Sequence, residues 1–387
     1  LDGVRATLCS DFTAMYVFNL RGNQRTQGET SRMEGGKIFG SGSRVGVAIS
    51  LFIKNPDKRA KGRCQLYYHD IGDYLDREKK LSILRSMESV SGLERENCWK
   101  RIYPNANHDW INQRDPAFGK FAPLGGKEKD CGTVVFSNFS LGVITARDAW
   151  AYNMSSASVR NNISRLIETY DVGRQLYEDA CKGKSRDEQP KIENVISLNP
   201  KQISWSHNLK EDARRGTQIA FESTALTSAV YRPFVKQWLY FSRHLNERVY
   251  QMPKIYPCAA VRNRTIMVKQ RWSGEGQIAL MVDTISDLQT DGGWQNFPLY
   301  LYEKDQLQDG ELIPREREGE LIDGYLRRNA ITNAILTDFR AAYEPKVMKE
   351  DIFYYVYGVL HSSEYLTRFA SDLKKMLPRL PLTRESA

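Results

Sequence analysis

Two apolar segments near the start of the chain are separated by a long basic segment that is rich in glycine. The first apolar segment runs from Met15 to Leu20, and the second runs from Val45 to Ile53. Short apolar runs that end at turn-forming residues are typical of β-strands, so the pattern predicts a strand, a basic loop and a strand. Because the second run is apolar at successive positions, which point to both faces of a sheet, we expect that strand to be buried.

The loop between the two predicted strands combines cationic side chains with glycines. Glycine allows backbone amides to approach a ligand closely, and the cations add charge, so the loop could close on a phosphate backbone. A solvated connection between two strands would explain the same composition. The basic residues of this loop are Arg21, Arg25, Arg32, Lys37 and Arg44.

Further distinctive strings are spread along nearly the whole chain. They are Asp2-Gly3 through Asp11-Phe12, Tyr16-Val17-Phe18-Asn19-Leu20-Arg21-Gly22-Asn23, Gly35-Gly36-Lys37-Ile38-Phe39-Gly40, Tyr67-Tyr68-His69-Asp70-Ile71-Gly72-Asp73-Tyr74, Asp109-Trp110-Ile111-Asn112-Gln113-Arg114-Asp115, Tyr231-Arg232-Pro233-Phe234 and Glu350-Asp351-Ile352-Phe353-Tyr354-Tyr355-Val356-Tyr357-Gly358. In this order they resemble Type ISP restriction-modification enzymes, single polypeptides in which a nuclease, a helicase-like ATPase, an adenine-N6 methyltransferase and a target-recognition domain follow one another. Several strings in the right order are more specific than any one of them.

The resemblance implies a mixed α+β fold. The C-terminal strands of a Rossmann-like methyltransferase sheet would be followed by an α/β target-recognition domain with a helical C-terminus. We expect residues 1–102 to be the end of the methyltransferase domain, 103–130 a linker and 131–387 the target-recognition domain. The resemblance also implies that residues 45–53 and 64–68 form a long-looped antiparallel hairpin. Since the chain begins inside a predicted helix without methionine, we interpret it as part of a longer protein.

Length, charge and cysteine usage narrow the class of protein. The 387 residues suggest two or three domains, and 41% hydrophobic content supports packed cores. A net charge of +9 and a pI near 9.1 favour a polyanionic partner, with duplex DNA first and no RNA expected. Cysteines and histidines are scattered without metal-ligand spacing, so we expect reduced thiols and no bound metal. Without an apolar run of about twenty residues we expect no membrane span, and a cytoplasmic location.

Periodicity predicts the elements of the later chain. A helix should begin near Ser156 and bury a face at every third or fourth residue, including Val159, Ile163 and Leu166. Further predictions are a helix over 74–98, strands at 265–268, 278–282 and 299–302, and two C-terminal helices that pack together. The apolar faces of those two helices are Ile331, Ile335, Phe339 and Tyr343, and then Tyr365, Phe369, Leu373 and Leu377.

The motifs that adenine methylation requires are missing from this chain. No Asn/Asp-Pro-Pro-Tyr/Phe string is present, since Asn55-Pro56-Asp57-Lys58 and Asn199-Pro200-Lys201-Gln202 fit turns. Residues 40–45 do not complete a dinucleotide-binding glycine motif, and Lys37 belongs to no phosphate-binding loop of the Walker type. We therefore expect the S-adenosylmethionine and catalytic motifs upstream, ATP and Mg to serve other parts of the parent enzyme, and this chain alone to be inactive.

Recognition of DNA is the function that remains. Base reading needs cationic or amide side chains that project into a groove, with further cations on phosphates. Two regions fit this requirement. The first runs from Tyr231 to Trp238 and is followed by Arg243 and His244, and the second runs from Arg262 to Trp272. We favour the second region for specificity, and we interpret Arg232 as structural. The candidate DNA-binding residues are Arg21, Arg25, Lys37, Arg44, Lys236, Arg243, Arg262, Arg264, Lys269, Arg271 and Trp272.

Two other classes of function compete with this hypothesis. The chain could be a coupling module whose C-terminal helices dock on helicase and nuclease parts of the parent, with only non-specific DNA contact. Burial of residues 352–357 would favour packing, whereas an exposed apolar patch there would favour docking. A self-sufficient enzyme has little support, because no nucleophile lies beside a base at recognisable spacing.

Overall fold

The structure is a computed structural model that describes residues 2–26, 28–40, 42–55, 64–89, 98–126, 133–305 and 319–382. It divides into two compact units. Unit 1 is Leu1–Lys120, Trp272–Gly276 and Leu366–Lys375, and unit 2 is Phe121–Arg271, Gln277–Tyr365 and Met376–Ala387. Helices and sheets occur in both, which confirms the mixed α+β class. Pro56, Asp57 and Lys58 of the predicted turn, Cys131 and parts of the predicted helix and linker lie outside the described residues.

Unit 1 is built on a four-stranded sheet in which the strands lie in the order β2 (Val47–Ile53), β1 (Ala14–Arg21), β3 (Gln65–Asp70) and β4 (Lys100–Ile102). Strand β1 lies between β2, to which it is antiparallel, and β3, to which it is parallel. The two predicted strands are confirmed, but the segment between them is not only a loop, because it contains the helix Gly28–Glu34. The predicted hairpin of 45–53 with 64–68 is wrong because β1 separates the two. The elements are α1 (Asp2–Asp11), β1 (Ala14–Arg21), α2 (Gly28–Glu34), β2 (Val47–Ile53), β3 (Gln65–Asp70), α3 (Arg77–Ser86) and β4 (Lys100–Ile102).

Strand β2 differs from expectation in its burial. It forms an edge of the sheet, and all its residues after Val47 are exposed, Leu51, Phe52 and Ile53 among them. The prediction of a buried strand is therefore wrong for this chain. The sequence pattern showed apolar side chains on both faces, but these side chains stay 39–46% exposed in the described structure, although the Phe52 ring lies 5.1 Å from that of Phe12. The core of unit 1 lies around Phe18, Leu20, Ile38, Ile71 and Met87.

Unit 2 contains several small sheets and one long helix. Their strand orders are β11-β10-β13-β6, β12-β8-β9-β7, β14-β16-β15 and β17-β5. The strands predicted at 265–268, 278–282 and 299–302 are confirmed as β10, β11 and β14. The elements are β5 (Ala122–Pro123), β6 (Ser140–Leu141), α4 (Asp148–Ala151), β7 (Tyr152–Asn153), α5 (Ser156–Cys181), α6 (His207–Arg214), β8 (Leu226–Arg232), β9 (Val235–Tyr240), α7 (Met252–Ile255), β10 (Thr265–Lys269), β11 (Ala279–Val282), β12 (Ile285–Ser286), β13 (Trp294–Pro298), β14 (Tyr300–Lys304), β15 (Glu320–Ile322), β16 (Tyr325–Asn329), α8 (Asn333–Ala342), α9 (Lys349–Val359) and, after the helices described below, β17 (Arg379–Leu380).

The long helix α5 forms as its periodicity predicts. Ser155 caps its start, where the hydroxyl oxygen accepts a hydrogen bond from the Ser158 amide at 3.4 Å. Val159, Ile163 and Leu166 are buried on one face, together with Tyr170. Because an apolar stripe at this spacing must be covered, α5 packs into an apolar cluster of unit 2 with Ile192, Leu209 and Leu245.

The C-terminal helices agree with the sequence only in part. Helix α8 buries Ile335 and Phe339, and Phe339 packs edge-on against Tyr355 of α9. The second predicted helix is divided at Phe369 into α10 (Ser363–Arg368) and α11 (Ala370–Leu373), so the prediction of one continuous partner helix is wrong. In α9, Ile352, Phe353 and Val356 are buried. The apolar side chains of the 352–357 string therefore pack inside the unit.

Candidate nucleic-acid interface

The loop after β1 is anchored to the end of β3 by a network of polar contacts. The Arg21 Nε donates to Asp70 Oδ1 at 2.6 Å, and Arg21 Nη1 donates to Asp73. The Asn19 Nδ2 donates to the Tyr68 hydroxyl at 3.0 Å and to Asp70 Oδ2 at 3.2 Å. Burial raises the pKa of Asp70, but hydrogen bonds from Arg21 and its neighbours outweigh burial and lower that pKa below its usual value. The charge of Arg21 is thus compensated within unit 1.

Two glycines of the loop are required by packing. Gly35 has a positive φ of 67°, and a Cβ there would lie 2.2 Å from the Leu75 carbonyl oxygen. A Cβ on Gly36 would lie 2.7 Å from the Arg77 amide nitrogen. The buried Lys80 ammonium donates to the carbonyl oxygens of Glu34 at 2.7 Å and Gly36 at 2.9 Å. This part of the predicted loop is a packed scaffold against the start of α3.

The other predicted cations of the loop present their charge outward. Arg25 and Arg44 are exposed and Lys37 is half-buried. Arg44 Nη2 donates to the Gln24 carbonyl at 3.1 Å, which holds the two ends of the loop together. In the described part of the chain none of these three cations forms an ion pair with an acidic side chain.

In unit 2, the fold brings together cations that the sequence placed in two separate regions. Lys236 on β9 and Arg262 line a cavity of about 710 Å³, and Lys236 and Arg264 line a second cavity of about 660 Å³. Asp283, which follows β11, lines both cavities and binds Lys236 Nζ at 2.7 Å. The hydrogen bond from Lys236 lowers the pKa of Asp283. Together Lys236, Arg262, Arg264 and Asp283 form what we call the two-cavity surface.

The direction of the two arginines is set by the residue between them. Asn263 is buried, and its Nδ2 donates to the carbonyl oxygens of Ile255 at 3.0 Å and Tyr300 at 2.8 Å. Its Oδ1 accepts from the amides of Arg264 at 2.9 Å and Tyr300 at 3.1 Å. Because alternate residues of an extended segment point to opposite sides, the inward Asn263 leaves Arg262 and Arg264 exposed on the same side.

Arg264 has a further support from α9. Its Nη1 donates to the Tyr354 hydroxyl, and its guanidinium lies 5.7 Å from the centre of that ring. This neutral partner orients the guanidinium without cancelling its charge. Arg262 forms no ion pair with any described residue.

The remaining predicted residues fall into different environments. Lys269 Nζ binds Asp291 Oδ2 at 2.9 Å, so its charge is compensated. Arg243 and Arg271 are exposed and have no ion pair within the described ranges. Trp272 is 8% exposed, and its Nε1 donates to the carbonyl oxygens of Glu275 at 3.0 Å and Gly276 at 3.1 Å. Its packing and satisfied nitrogen assign it a structural role, so we leave it out of the interface proposed below.

Sequence reasoning missed Asp283 of the two-cavity surface and Phe234, which lines the 660 Å³ cavity beside it. Asp283 gave no signal, because a single acidic residue after a strand is common. Phe234 belongs to the Tyr-Arg-Pro-Phe string, but that string did not indicate that its side chain is 81% exposed at the tip of the β8–β9 hairpin. Arg232 of that string lies with its guanidinium 3.9 Å from the centre of the Tyr231 ring and 4.0 Å from Asp287.

No group of three or more His, Cys, Asp or Glu side chains among the described residues is arranged to hold a metal ion. Within the same ranges, no helix is long and apolar enough to cross a membrane.

Comparison with known proteins assigns the family. The family model of the Type ISP C-terminal specificity domain matches residues 134–387. Among solved structures, the chain is similar to a nuclease-deletion mutant of the Type ISP restriction-modification enzyme LlaGI in complex with a DNA substrate mimic, with 36% identity and a TM-score of 0.73 over 98% of this chain and 27% of that chain. It is also similar to the ATP-dependent Type ISP enzyme LlaBIII bound to DNA, with 30% identity and a TM-score of 0.76 over 98% of this chain and 22% of that one.

A third structure, the DrdV–DNA complex, shares 26% identity and a TM-score of 0.71 over 99% of this chain and 34% of its own. No curated protein matches the chain. The fold and these matches define the class as the specificity part of a restriction-modification enzyme. Within that class, the chain belongs to the family of Type ISP C-terminal specificity domains. It spans 27%, 22% and 34% of the three solved relatives.

Proposed function

We propose that this chain recognises a specific site in duplex DNA for an adenine-N6 methyltransferase and restriction enzyme. The observation that carries the proposal is the pair Arg262 and Arg264, held outward on one side by the buried Asn263 and next to Lys236. Arginine is the side chain best suited to bidentate contact with guanine in the major groove. The net charge of +9 and the DNA in the solved relatives support the same partner.

The cations divide into roles according to their surroundings. Arg262 and Arg264 read base edges, because their guanidinium groups are exposed and their backbone is fixed. Arg21 and Lys269 are paired with carboxylates and are only 21% and 15% exposed, so they support the fold. Lys236 is also paired, with Asp283, but it is 53% exposed and can still reach a phosphate. The residues that bind phosphates are Arg25, Lys37, Arg44, Lys236, Arg243 and Arg271.

In the longer enzyme, the bound adenine would be presented to a catalytic motif outside this chain, with S-adenosylmethionine as methyl donor. Neither the cofactor loop nor the catalytic tetrapeptide occurs in the sequence. The chain alone should therefore bind DNA without methylating it. ATP and Mg would serve the motor and nuclease parts, and the enzyme would act in the cytoplasm, where its DNA substrate lies.

The exposed strand β2 supports assembly with another domain of the same polypeptide. An edge strand with apolar residues on both faces is unusual in a finished sheet, because it invites pairing and aggregation. We propose that the methyltransferase part of the parent pairs with β2 and covers it. The coupling hypothesis thus moves from helix α9, where Ile352, Phe353 and Val356 are buried, to this edge.

The test is selection from a randomised duplex DNA pool at two salt concentrations, with the bound fraction sequenced. Enrichment of one asymmetric, adenine-containing site that persists at the higher salt would support specific recognition. An Arg264→Ala variant should lose about 1–3 kcal/mol on the enriched site and relax its preference at one position. Arg186→Ala is the matched control, because this exposed arginine lies on the charged 182–191 segment away from both predicted regions.

Other outcomes would redirect the proposal. Salt-sensitive binding without enrichment would indicate a general basic surface and favour a coupling module. If Arg264→Ala keeps both affinity and sequence preference, that residue does not read the site. Methyl transfer by the chain alone would show that the active site has been misplaced.

A further inference from the structure

The β8–β9 hairpin ends in a turn of two residues, Pro233 and Phe234, since Arg232 pairs with Val235. Phe234 has a φ of +61°, in the left-handed region that favours glycine. Its ring is also 81% exposed. A bulky aromatic residue is therefore held in an unfavourable backbone conformation and in water, and neither feature contributes to folding.

The rest of the hairpin is rigid without the Phe234 ring. Strand β8 pairs with β12 as well as β9, and β9 pairs with β7. The Tyr231 ring packs against Tyr152 with ring centres 4.7 Å apart. The Arg232 guanidinium lies 3.9 Å from the centre of the same Tyr231 ring. The tip is thus a preorganised projection.

Cations surround this projecting ring. Arg232 precedes it and Lys236 follows it on the hairpin. Their side chains are 44% and 53% exposed, and Lys236 also binds Asp283 at 2.7 Å. Phe234 also lines the 660 Å³ cavity that contains Arg264. An apolar ring between cationic side chains is the arrangement by which proteins insert between bases while holding the adjoining phosphates.

We propose that Phe234 is a wedge that stacks on a nucleobase of the bound DNA and separates one base step at or beside the recognised site. The inference rests on the proposed function. Arg232 and Lys236 then hold the phosphates that flank the opened step. The left-handed turn directs the ring outward, where only a partner can cover it.

The experiment measures binding of the full chain to the site obtained by selection, with 2-aminopurine placed at successive positions. Wild type should raise the fluorescence at one step, because unstacking relieves quenching. Phe234→Ala should abolish that signal and weaken binding about tenfold. The slope of log affinity against log salt should stay unchanged, because no counterion is released by an apolar contact. Phe234→Trp should keep both the signal and the affinity.

Two controls separate the wedge from an effect on folding. Phe234→Gly relieves the left-handed conformation, so its thermal midpoint should equal or exceed that of wild type while its DNA binding falls as in the alanine variant. Leu198→Ala removes another exposed apolar side chain of unit 2, 54% exposed, and should leave binding unchanged.

The outcomes distinguish the wedge from the proposed function. If wild type binds its site and both Phe234→Ala and Phe234→Gly bind equally well with the same fluorescence response, the wedge is refuted while DNA recognition stands. The tip would then contact protein. If wild type enriches no DNA sequence and binds none, both proposals fail together.

Discussion

Replacing Asp109 with asparagine should destabilise unit 1, because this carboxylate compensates three cations from distant parts of the chain. The side chain is 1% exposed. Its oxygens lie 3.0 Å from Arg5 Nη1, 2.8 Å from Arg114 Nε and 3.0 Å from Lys375 Nζ. It therefore ties α1 to the 109–115 string and to the segment Leu366–Lys375, all within unit 1. Part of the family resemblance at 109–115 thus has a structural basis.

The stability that Asp109→Asn should lose follows from the burial of the carboxylate and the partial screening of its cations by water. Removing one partner of a buried ion pair costs about 3–5 kcal/mol, since the other charges lose their compensation. The three cations are 15–28% exposed, so water screens part of the loss, and we expect about 3 kcal/mol. Burial raises the pKa of Asp109, but hydrogen bonds from Arg114 and Lys375 outweigh burial and hold the pKa well below its usual range.

The sign of the pH dependence provides a second readout. A carboxylate whose pKa is lower in the folded than in the unfolded protein stabilises the fold above the unfolded pKa, and this contribution is lost as pH falls through the folded pKa. Wild type should therefore lose more stability between pH 5 and about pH 2 than Asp109→Asn does.

The assay is urea unfolding at pH 7 and across the acid range, with hydrogen exchange of α1 to follow unit 1 itself. Asp11→Asn is the matched control, because Asp11 is an exposed carboxylate at the end of α1 without an ion pair in the described chain. It should change the free energy of unfolding by less than about 0.5 kcal/mol. A loss below about 1 kcal/mol for Asp109→Asn, with unaltered acid sensitivity, would refute the argument.

Three further predictions concern the scaffold. Lys80→Met should lower the free energy of unfolding by about 1–3 kcal/mol and speed hydrogen exchange at residues 34–36, because the Gly36 carbonyl oxygen loses its buried donor. Unchanged hydrogen exchange at these residues would contradict this prediction. Gly35→Ala should lower the free energy of unfolding, measured in urea, by at least about 1 kcal/mol, because its methyl group would lie 2.2 Å from the Leu75 carbonyl oxygen. Burial raises the pKa of Asp287 from 3.8 to about 6, so its folded form holds a proton that the unfolded form has lost, and stability falls as pH rises through this range. Asp287→Asn should avoid that fall, so above pH 6 its free energy of unfolding, relative to wild type, should be higher by about 2–3 kcal/mol than at low pH. Thermal or urea unfolding across the pH range measures this difference, and parallel pH profiles of the two proteins would exclude the effect.

Local periodicity predicted individual elements well. The cap and buried face of α5, the strands β10, β11 and β14, and the helix α8 all followed from repeats of 3.6 or 2 residues. Such repeats report which side of an element is apolar, and a helix or short strand needs little more to be recognised.

Partners across the sequence were decided by tertiary structure. Nothing local indicated that β1 would lie between β2 and β3, since strand pairing depends on the whole sheet. Likewise, the positive charge of Arg21 in the sequence did not indicate that Asp70 and Asp73, about fifty residues away, would compensate that charge.

The candidate interface shows the same division. The sequence by itself determined the family, the excess of positive charge and the arginines at 262 and 264, because these depend only on residue identity and order. Only the tertiary structure buried Trp272, joined Lys236 to the two arginines and projected Phe234 from a turn. The physical reason is that exposure and charge compensation are set by neighbours in space, and a sequence pattern does not contain them.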